Sequence, residues 1–423
     1  MIPMPSDLQE LLTKLGQSAT PETSRRVSNA FQILFSDAMT RLDDGTIFVA
    51  TGDIDAMWIR DSTWQLRPLL AATGTTGESE EIIGAVSQRQ AEYLLIDPYA
   101  NAFNIAENGM RWHKDFAEQS DWVFERKYEL DSIAAFFDLA LRLYRVTDYG
   151  AHLNKIFWHA AEECLNLLER EQKHDPTTYR FGRPGNPSHD QLSHDGFGAP
   201  FAETGMVWSG FRPSDDGCEL PFLIPANAHL AVTLAWLQQA ANDFDRADLA
   251  ERARVLEELV RAGLASHGII GEGATARYAY ECDGLGRALA WDDPNVPSLL
   301  ALPYLGWCPP TDQLYQRTRN WILSSENPMY LQGTHASGLT SVHTPPQNVW
   351  PLAIAVQGLT ANAMDEATEC LALLESIDGG TGRNHESVNV NDPSDFTRPW
   401  FSWADMTYAH LALKVHGLSK PSD

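Results

Sequence analysis

Helical periodicity dominates the pattern of apolar and polar positions along the chain. From Ile133 to Tyr144 the apolar side chains recur every three or four residues, which places them on one face of a helix. The same spacing predicts six further helices, one of them starting after Pro225 and another stopping at Gly263. These six cover residues 82–95, 156–168, 226–237, 249–260, 350–359 and 367–374.

Strand-like alternation is rare, and the segments between the helices are long. Residues 46–50 form the best strand, as part of a short hairpin after Asp43-Asp44-Gly45. The loops are rich in aromatic residues, which argues against disorder, and no low-complexity linker divides the chain. We therefore expect an all-α single domain, residues 1–423, built as a ring of helical hairpins whose loops gather at one end around a pocket. The long loops are 51–61, 97–121, 181–222, 278–298, 327–346 and 379–403.

Acidic residues far outnumber basic ones among the 423 residues. The chain has 57 Asp and Glu against 31 Lys and Arg, a formal net charge of −26 at pH 7. This charge repels phosphate backbones and anionic lipid head groups, so we expect neither nucleic acid nor a membrane as a partner. A neutral substrate would not be repelled.

The five cysteines are widely spaced, with no C-x-x-C pair. Their odd number and spacing argue against a disulfide framework or a zinc knuckle and favour reduced, buried thiols. The first residues have neither the basic nor the apolar region of a signal peptide, and no apolar run reaches the ~18 residues of a membrane span. The sequence predicts a cytoplasmic protein.

Acids, an arginine and a tryptophan cluster in the loop 51–61. Arg60 beside Asp61 offers donors next to an acceptor, which suits the vicinal hydroxyls of a sugar. Trp58 offers a flat apolar face for the C–H side of a sugar ring, and Asp55 is a further polar contact. A helix start with a structural Arg–Asp pair would explain the same residues.

Two adjacent acids, Asp215 and Asp216, follow Arg212 in the loop 181–222. Like charges so close can raise the pKa of one carboxyl, as a general acid requires. An N-cap of the following helix is the alternative, and taken alone it is the better interpretation.

Glu386 lies in a polar loop flanked by aromatic residues and precedes Arg398. Such a carboxylate can activate water as a general base, although a solvated surface glutamate has the same pattern. His385-Glu386 is not a zinc-protease motif, because position 389 is Asn.

The remaining polar loops contain Asp283, in a sugar subsite or a structural turn, and histidines such as His113 and His343. No histidine spacing matches a set of metal ligands, so we expect no metal. Phosphate-binding, dinucleotide-binding and nucleophile-elbow motifs are missing, so we expect no cofactor.

Taken together, these loops resemble glycoside hydrolase family 125, the bacterial and fungal exo-α-1,6-mannosidases. The resemblance spans nearly the whole chain, and several long motifs in order make it specific. Departures occur at Val388, at Pro294 and at Ala404-Asp405-Met406, where the family has an aromatic residue, an alanine and a small-Asn-Ser run. The matching segments are 52–62, 97–104, 125–132, 211–216, 281–284, 295–300, 385–387 and 395–401.

The resemblance implies an (α/α)6 toroid with its site in the central cavity, and hydrolysis with inversion without a catalytic metal. The general acid would be Asp215 or Asp216, of which we favour Asp215 by analogy with other toroidal glycosidases, and the base would be Glu386. The substrate would be an α-mannoside oligosaccharide or an N-glycan-derived chain. The predicted binding residues are Asp55, Trp58, Arg60, Asp61, His113, Arg212, Asp283, His343 and Arg398.

Three alternatives remain open on the sequence. One is another inverting toroidal glycosidase that cleaves an α-glucoside. The others are a helical-toroid sugar epimerase that relies on histidine bases and a catalytically inactive sugar-binding protein.

Overall fold

Helices make up most of the structure, a computed structural model that describes residues 2–116, 119–175, 179–183, 185 and 187–420. A π-helical turn, Leu34–Ala38, extends the second helix, and 3-10 turns cover Arg67–Ala72, Ser188–Asp190 and Gly273–Thr275. The α-helices are α1 Ser6–Ser18, α2 Pro21–Ile33, α3 Ile59–Leu66, α4 Glu78–Ile96, α5 Leu130–Thr147, α6 Lys155–Glu171, the single turn α7 Ser193–Gly196, α8 Ile224–Asp243, α9 Ala247–His267, α10 Gln313–Ile322, α11 Pro351–Leu359, α12 Met364–Ser376 and α13 Ser402–Val415.

Two layers of helices form a ring. Helices α3, α5, α8, α11 and α13 are buried around most of their circumference and form the inner layer. Within it α5 packs between α3 and α8, and α13 packs between α3 and α11. Helices α2, α4, α6, α9, α10 and α12 pack outside and bury one face each, as α9 does with Ala253, Leu256 and Val260.

A run of turns takes the sixth inner position in chain order, between α9 and α10. Its side chains Leu299, Leu302 and Leu305 are fully buried. The carbonyl of Tyr304 accepts a hydrogen bond from Arg67 at 3.0 Å, and its hydroxyl lies 3.1 Å from His410 Nδ1 on α13. Six inner and six outer segments therefore form the (α/α)6 toroid that the resemblance implied.

The strands have only two or three residues each and pair segments of the loops with one another. Residues 39–41 pair with 47–49, which confirms the predicted hairpin. Three-stranded sheets join β3-β4-β5, β10-β9-β6 and β13-β14-β15, and two-stranded sheets join β1-β2, β7-β8 and β11-β12. The strands are β1 Met39–Arg41, β2 Ile47–Val49, β3 Met57–Trp58, β4 Ala102–Phe103, β5 Val123–Glu125, β6 Phe222–Leu223, β7 Ile269–Ile270, β8 Arg277–Tyr278, β9 Glu281–Cys282, β10 Ala288–Leu289, β11 Tyr330–Gln332, β12 Ser337–Leu339, β13 Asn348–Val349, β14 Ser387–Asn389 and β15 Phe396–Thr397.

All five cysteines are free thiols, and four of them are buried. Throughout the part of the chain that the structure describes, no helix combines the length and the apolar character needed to cross a bilayer.

Gly263 does not stop α9, contrary to the sequence prediction. The helix continues to His267. Gly263 lies where the segment around Thr204 and Met206, which precedes α8, packs against α9. A Cβ at this position would meet the carbonyl oxygen of Thr204 at 2.6 Å and Cγ of Met206 at 2.8 Å. Close packing, rather than termination, explains this glycine.

Gly263→Ala is expected to destabilise the protein by about 1–3 kcal/mol, because the added methyl group overpacks a rigid backbone contact. Gly16→Ala in α1 is the matched control. Its Cβ would meet only the hydroxyl of Ser24, at 3.4 Å, and alanine is favoured in a helix by about 0.5–1 kcal/mol. Urea unfolding of both variants measures the difference, and equal effects of the two substitutions would contradict the packing argument.

Candidate active site

A cavity of about 160 Å³ opens where the loops of the ring converge. Its walls come from all six of the long loops and from the beginnings of α3, α11 and α13. Carboxylates, cationic side chains and indole rings all contribute to its walls. The lining residues are Thr51, Ile54, Trp58, Arg60, Asp61, Trp112, Pro213, Ser214, Asp215, Asn295, His343, Trp350, Glu386, Arg398, Phe401 and Trp403.

Asp215 reaches the cavity from a tight turn. The N–H of Asp215 donates to the carbonyl of Arg212 at 2.9 Å, and the N–H of Arg212 donates to the carbonyl of Asp216 at 2.8 Å. Asp215 has a φ of +66°, a left-handed conformation that costs a non-glycine residue about 1–2 kcal/mol. The turn leaves the Asp215 side chain 35% exposed inside the cavity.

Asp216 points the other way, into the protein. Its carboxylate lies 2.9 Å from His189 Nδ1 and 3.0 Å from His343 Nδ1, and it is almost fully buried. Burial alone would lower the pKa of His343, but Asp216 and the more distant Glu386 raise it to about 9. The cavity wall therefore includes an imidazolium at neutral pH. The expected effect of Asp216 on the pKa of Asp215 has no basis in this geometry, because the two carboxyl groups point apart.

Arg60, in the first turn of α3, is the centre of a buried charge cluster. Its Nη1 contacts the carboxylate of Glu129 and lies 3.4 Å from Asp131. Its Nη2 lies 3.2 Å from Asp215 and 3.5 Å from Asp61. Burial raises the pKa of Asp131 to about 6 and raises that of Asp61 as well, although Arg60 opposes both shifts.

Glu386 directly precedes β14, and two donors contact its carboxylate. Thr397 Oγ1 donates to it at 3.1 Å, and Arg398 Nη1 lies 3.4 Å away. Arg398 is itself fixed by Asp53, which accepts from Nε at 2.8 Å and from Nη2 at 2.6 Å. The preceding His385 turns inward and stacks on Phe396 at a centroid distance of 3.6 Å, so only the glutamate lines the cavity.

Aromatic rings and unpaired polar atoms complete the walls. Trp112 is 53% exposed, whereas Trp58 and Trp403 also line the cavity but are almost fully buried. Trp58 Nε1 and Asp61 Oδ2 are buried without a hydrogen-bond partner. Buried polar atoms are rarely left unpaired, so a donor and an acceptor remain for a ligand that carries hydroxyl groups.

Four predicted binding residues lie outside the cavity walls. Asp55 and His113 are exposed on the loops that supply Ile54 and Trp112 instead. Arg212 pairs with Glu281 at 2.5 Å beneath the turn, and the carboxylate of Asp283 accepts backbone N–H groups in a turn of its own. The structure brings together Trp58, Arg60, Asp61, Asp215, His343, Glu386 and Arg398.

Several residues at the site were not predicted. Glu129 and Asp131 contact Arg60 from the start of α5. A signal was available, because two acids directly before a long apolar stripe are costly to bury unless a cation pairs with them. No sequence spacing distinguished the other wall residues from residues of the core. These are Trp112, Asn295, Trp350 and Trp403. Among the residues that the structure describes, no three His, Cys, Asp or Glu side chains are grouped to hold a metal ion.

A toroid of helical hairpins with carboxylates and tryptophans around a central cavity is typical of one class of glycoside hydrolase. The family of metal-independent α-mannosidases, GH125, matches residues 20–413. The chain belongs to this family, as the sequence motifs predicted, and it is a glycoside hydrolase.

Individual relatives agree with this assignment. The meiotically up-regulated gene 157 protein of Schizosaccharomyces pombe is 39% identical over 388 residues, which cover 87% of this chain and 76% of that protein. A Streptococcus pneumoniae metal-independent α-mannosidase, solved in a non-productive complex with α-1,6-mannobiose, is 41% identical with a TM-score of 0.95, and the match covers 99% of this chain and 100% of that one. A bacterial glucoamylase bound to acarbose is 13% identical with a TM-score of 0.60 over 94% of this chain and 57% of its own, which shows the shared fold alone.

Proposed function

We propose that this chain is an inverting exo-α-mannosidase that removes terminal α-1,6-linked mannose from oligosaccharides or N-glycan-derived chains. The observation that carries the proposal is that Asp215 and Glu386 line one small cavity together with sugar-binding side chains. The α-1,6-mannobiose bound to the S. pneumoniae relative supports the linkage. The small volume of the cavity supports an exo mode, in which a single terminal sugar enters.

In the proposed reaction Asp215 protonates the glycosidic oxygen and Glu386 takes a proton from the attacking water. The water oxygen bonds to the anomeric carbon as the bond to the leaving oxygen breaks, so the anomeric configuration inverts. Inverting enzymes hold the two carboxyls about 6.5–9.5 Å apart to admit that water. Arg398 and Thr397 orient the base, since both donate to its carboxylate.

The unpaired atoms of the walls suit the sugar itself. Asp61 Oδ2 can accept a hydrogen bond from a mannose hydroxyl, and Trp58 Nε1 can donate one. The protonated His343 and the guanidinium of Arg398 are further donors. Exposed Trp112 can cover the C–H face of a ring at the cavity mouth.

We also propose that residues 1–423 act as one catalytic domain and that the protein is cytoplasmic. The first claim is supported by α2 packing against the last helix, α13. The second is supported by the five free cysteines, because proteins outside the reducing cytoplasm tend to pair their thiols.

The test is NMR of the first sugar released from α-1,6-mannobiose. The proposal expects β-mannose first, followed by mutarotation. Initial α-mannose would contradict inversion. Cleavage of isomaltose or trehalose in place of mannobiose would favour an α-glucosidase, an altered sugar with no bond cleaved would indicate an epimerase, and binding without turnover would indicate a sugar-binding protein.

A further inference from the structure

Glu129 is a fully buried carboxyl group that touches the proposed general acid and has no role in the reaction described above. It occupies the N-cap position of α5, where its side chain makes no capping hydrogen bond, and it is 1% exposed. Its carboxyl group lies next to that of Asp215. A single guanidinium bridges the two, since Arg60 contacts Glu129 through Nη1 and Asp215 through Nη2.

Two neutral donors hold the Glu129 carboxyl group in this position. Asn101 Nδ2 donates to Oε1 at 2.9 Å, and Ser132 Oγ donates to Oε2 at 3.1 Å. Asn101 is itself held, because its side-chain oxygen accepts the N–H of Lys127 at 3.1 Å. The Glu129 side chain therefore has no freedom to turn away from Asp215.

The charges around this pair do not balance if every group is ionised. Lys127 Nζ donates to the carbonyl of Asp215 at 2.7 Å and also pairs with Asp190 at 2.7 Å, so it is shared with a neighbouring cluster around Arg183. Unpaired buried carboxylates are costly, and two carboxyl groups in direct contact do not both ionise. Together, the clusters around Arg60 and Arg183 contain three cations and seven carboxyl groups. The cations are Arg60, Lys127 and Arg183, and the carboxyl groups are those of Asp61, Asp115, Glu125, Glu129, Asp131, Asp190 and Asp215.

We propose that Glu129 and Asp215 hold one proton between them and that this proton is the one delivered to the glycosidic oxygen. The inference rests on the function proposed above, and in it Glu129 is a positioning residue that acts through Asp215. The bond from the shared proton to the pair breaks as its bond to the leaving oxygen forms, and the pair is left with both carboxyls ionised. The proton that Glu386 takes from water returns through solvent to the pair after the products leave.

The shifted acidities agree with a shared proton. Burial raises the pKa of Glu129 well above its ordinary value. Removal from bulk water would also raise the pKa of Asp215, but Arg60 and Lys127 outweigh it and hold that pKa at about 2. The pair therefore binds one proton in the free site, and this proton reaches the glycosidic oxygen through Asp215.

The experiment compares two substrates in Glu129→Gln. For α-1,6-mannobiose, whose leaving group needs a proton, kcat/KM is expected to fall by about 10²–10⁴-fold. For 2,4-dinitrophenyl α-mannoside, whose leaving group needs none, it should stay within about tenfold, as expected when only proton delivery is lost. The basic limb of the mannobiose pH profile should also move to lower pH. Equal losses on both substrates, or no loss, would overturn the shared-proton proposal.

Two further variants make the result specific. Glu171→Gln is the matched control, because Glu171 is also a fully buried glutamate but is held by Tyr99 and His174 away from the cavity. It should treat the two substrates alike. Asp215→Asn should show the same leaving-group dependence as Glu129→Gln. If the loss in Asp215→Asn does not depend on the leaving group, Asp215 is not the general acid. If the loss depends on the leaving group in Asp215→Asn but not in Glu129→Gln, only the role of Glu129 is wrong.

A spectroscopic measurement covers the case in which Glu129→Gln does not fold. The infrared difference spectrum at pH 7 between the wild-type enzyme and Asp215→Asn should contain a protonated-carboxyl band from Glu129, because in the variant an amide replaces the carboxyl group beside Glu129 and changes its C=O stretch. Protonated carboxyls elsewhere cancel in this difference. A spectrum without the band would contradict the shared proton.

Discussion

Glu386→Gln is expected to lower kcat on α-1,6-mannobiose by about 10²–10⁴-fold while the fold is retained. An amide has the size of the carboxyl group but cannot accept a proton from the attacking water. Thr397 Oγ1 can still donate to the remaining side-chain oxygen, so the loop should keep its position. Initial rates, together with thermal unfolding to confirm the fold, measure the effect.

A substrate with a better leaving group distinguishes the loss of the general base from the loss of the general acid. A base acts on water whatever sugar or phenol departs, so 2,4-dinitrophenyl α-mannoside should not rescue Glu386→Gln as it rescues Asp215→Asn. Glu326→Gln, at an exposed glutamate outside the cavity walls, is the matched control and should retain wild-type rates. Wild-type turnover by Glu386→Gln would remove Glu386 from the mechanism.

Periodicity predicted helices of both layers of the ring and missed helices of both layers. The stripe from Ile133 to Tyr144 lies within α5, and the predicted helix at 156–168 lies within α6. Helix α13 was not predicted, and it is buried around most of its circumference, which leaves little 3.6-residue contrast. Helix α3 has only eight residues, all of them buried. Helices α1, α2 and α10 were missed although each has a polar face. The number of hairpins in the ring came from the family motifs and not from any local pattern.

The two proposed catalytic carboxyls were predictable from motifs, but their surroundings were not. Adjacency in sequence suggested that Asp216 tunes Asp215, yet a left-handed residue in the turn separates their directions. Arg60, which contacts Asp215, is 155 residues away from it in sequence. Only the closed ring brings α3, the start of α5 and the 211–217 turn together, so the sequence could indicate that Glu129 has a cationic partner but not that it lies beside Asp215.

Asp405 is a second unusual acid. It lies in the first turn of α13, 6% exposed, and accepts the N–H of Asn384 at 2.7 Å, two residues before Glu386. Burial raises its pKa from 3.8 to about 7, although that hydrogen bond and the positive charges of Arg383 and Arg26 oppose the shift. The folded protein therefore binds a proton at Asp405 over a pH range in which the unfolded chain does not.

The sign of the resulting pH dependence follows from proton linkage. Stability falls with rising pH wherever the folded state binds more protons, so Asp405 should reduce stability progressively between about pH 4 and pH 7, by at most about 4 kcal/mol for a shift of about three units. Asp405→Asn removes this term and keeps an oxygen for the N–H of Asn384. We expect the variant to be about 2–4 kcal/mol more stable than the wild type at pH 8, with a much smaller difference at pH 4. Urea unfolding at both pH values measures this, with the exposed Asp43→Asn as control. A difference that does not grow with pH would mean that Asp405 is ionised in the folded protein.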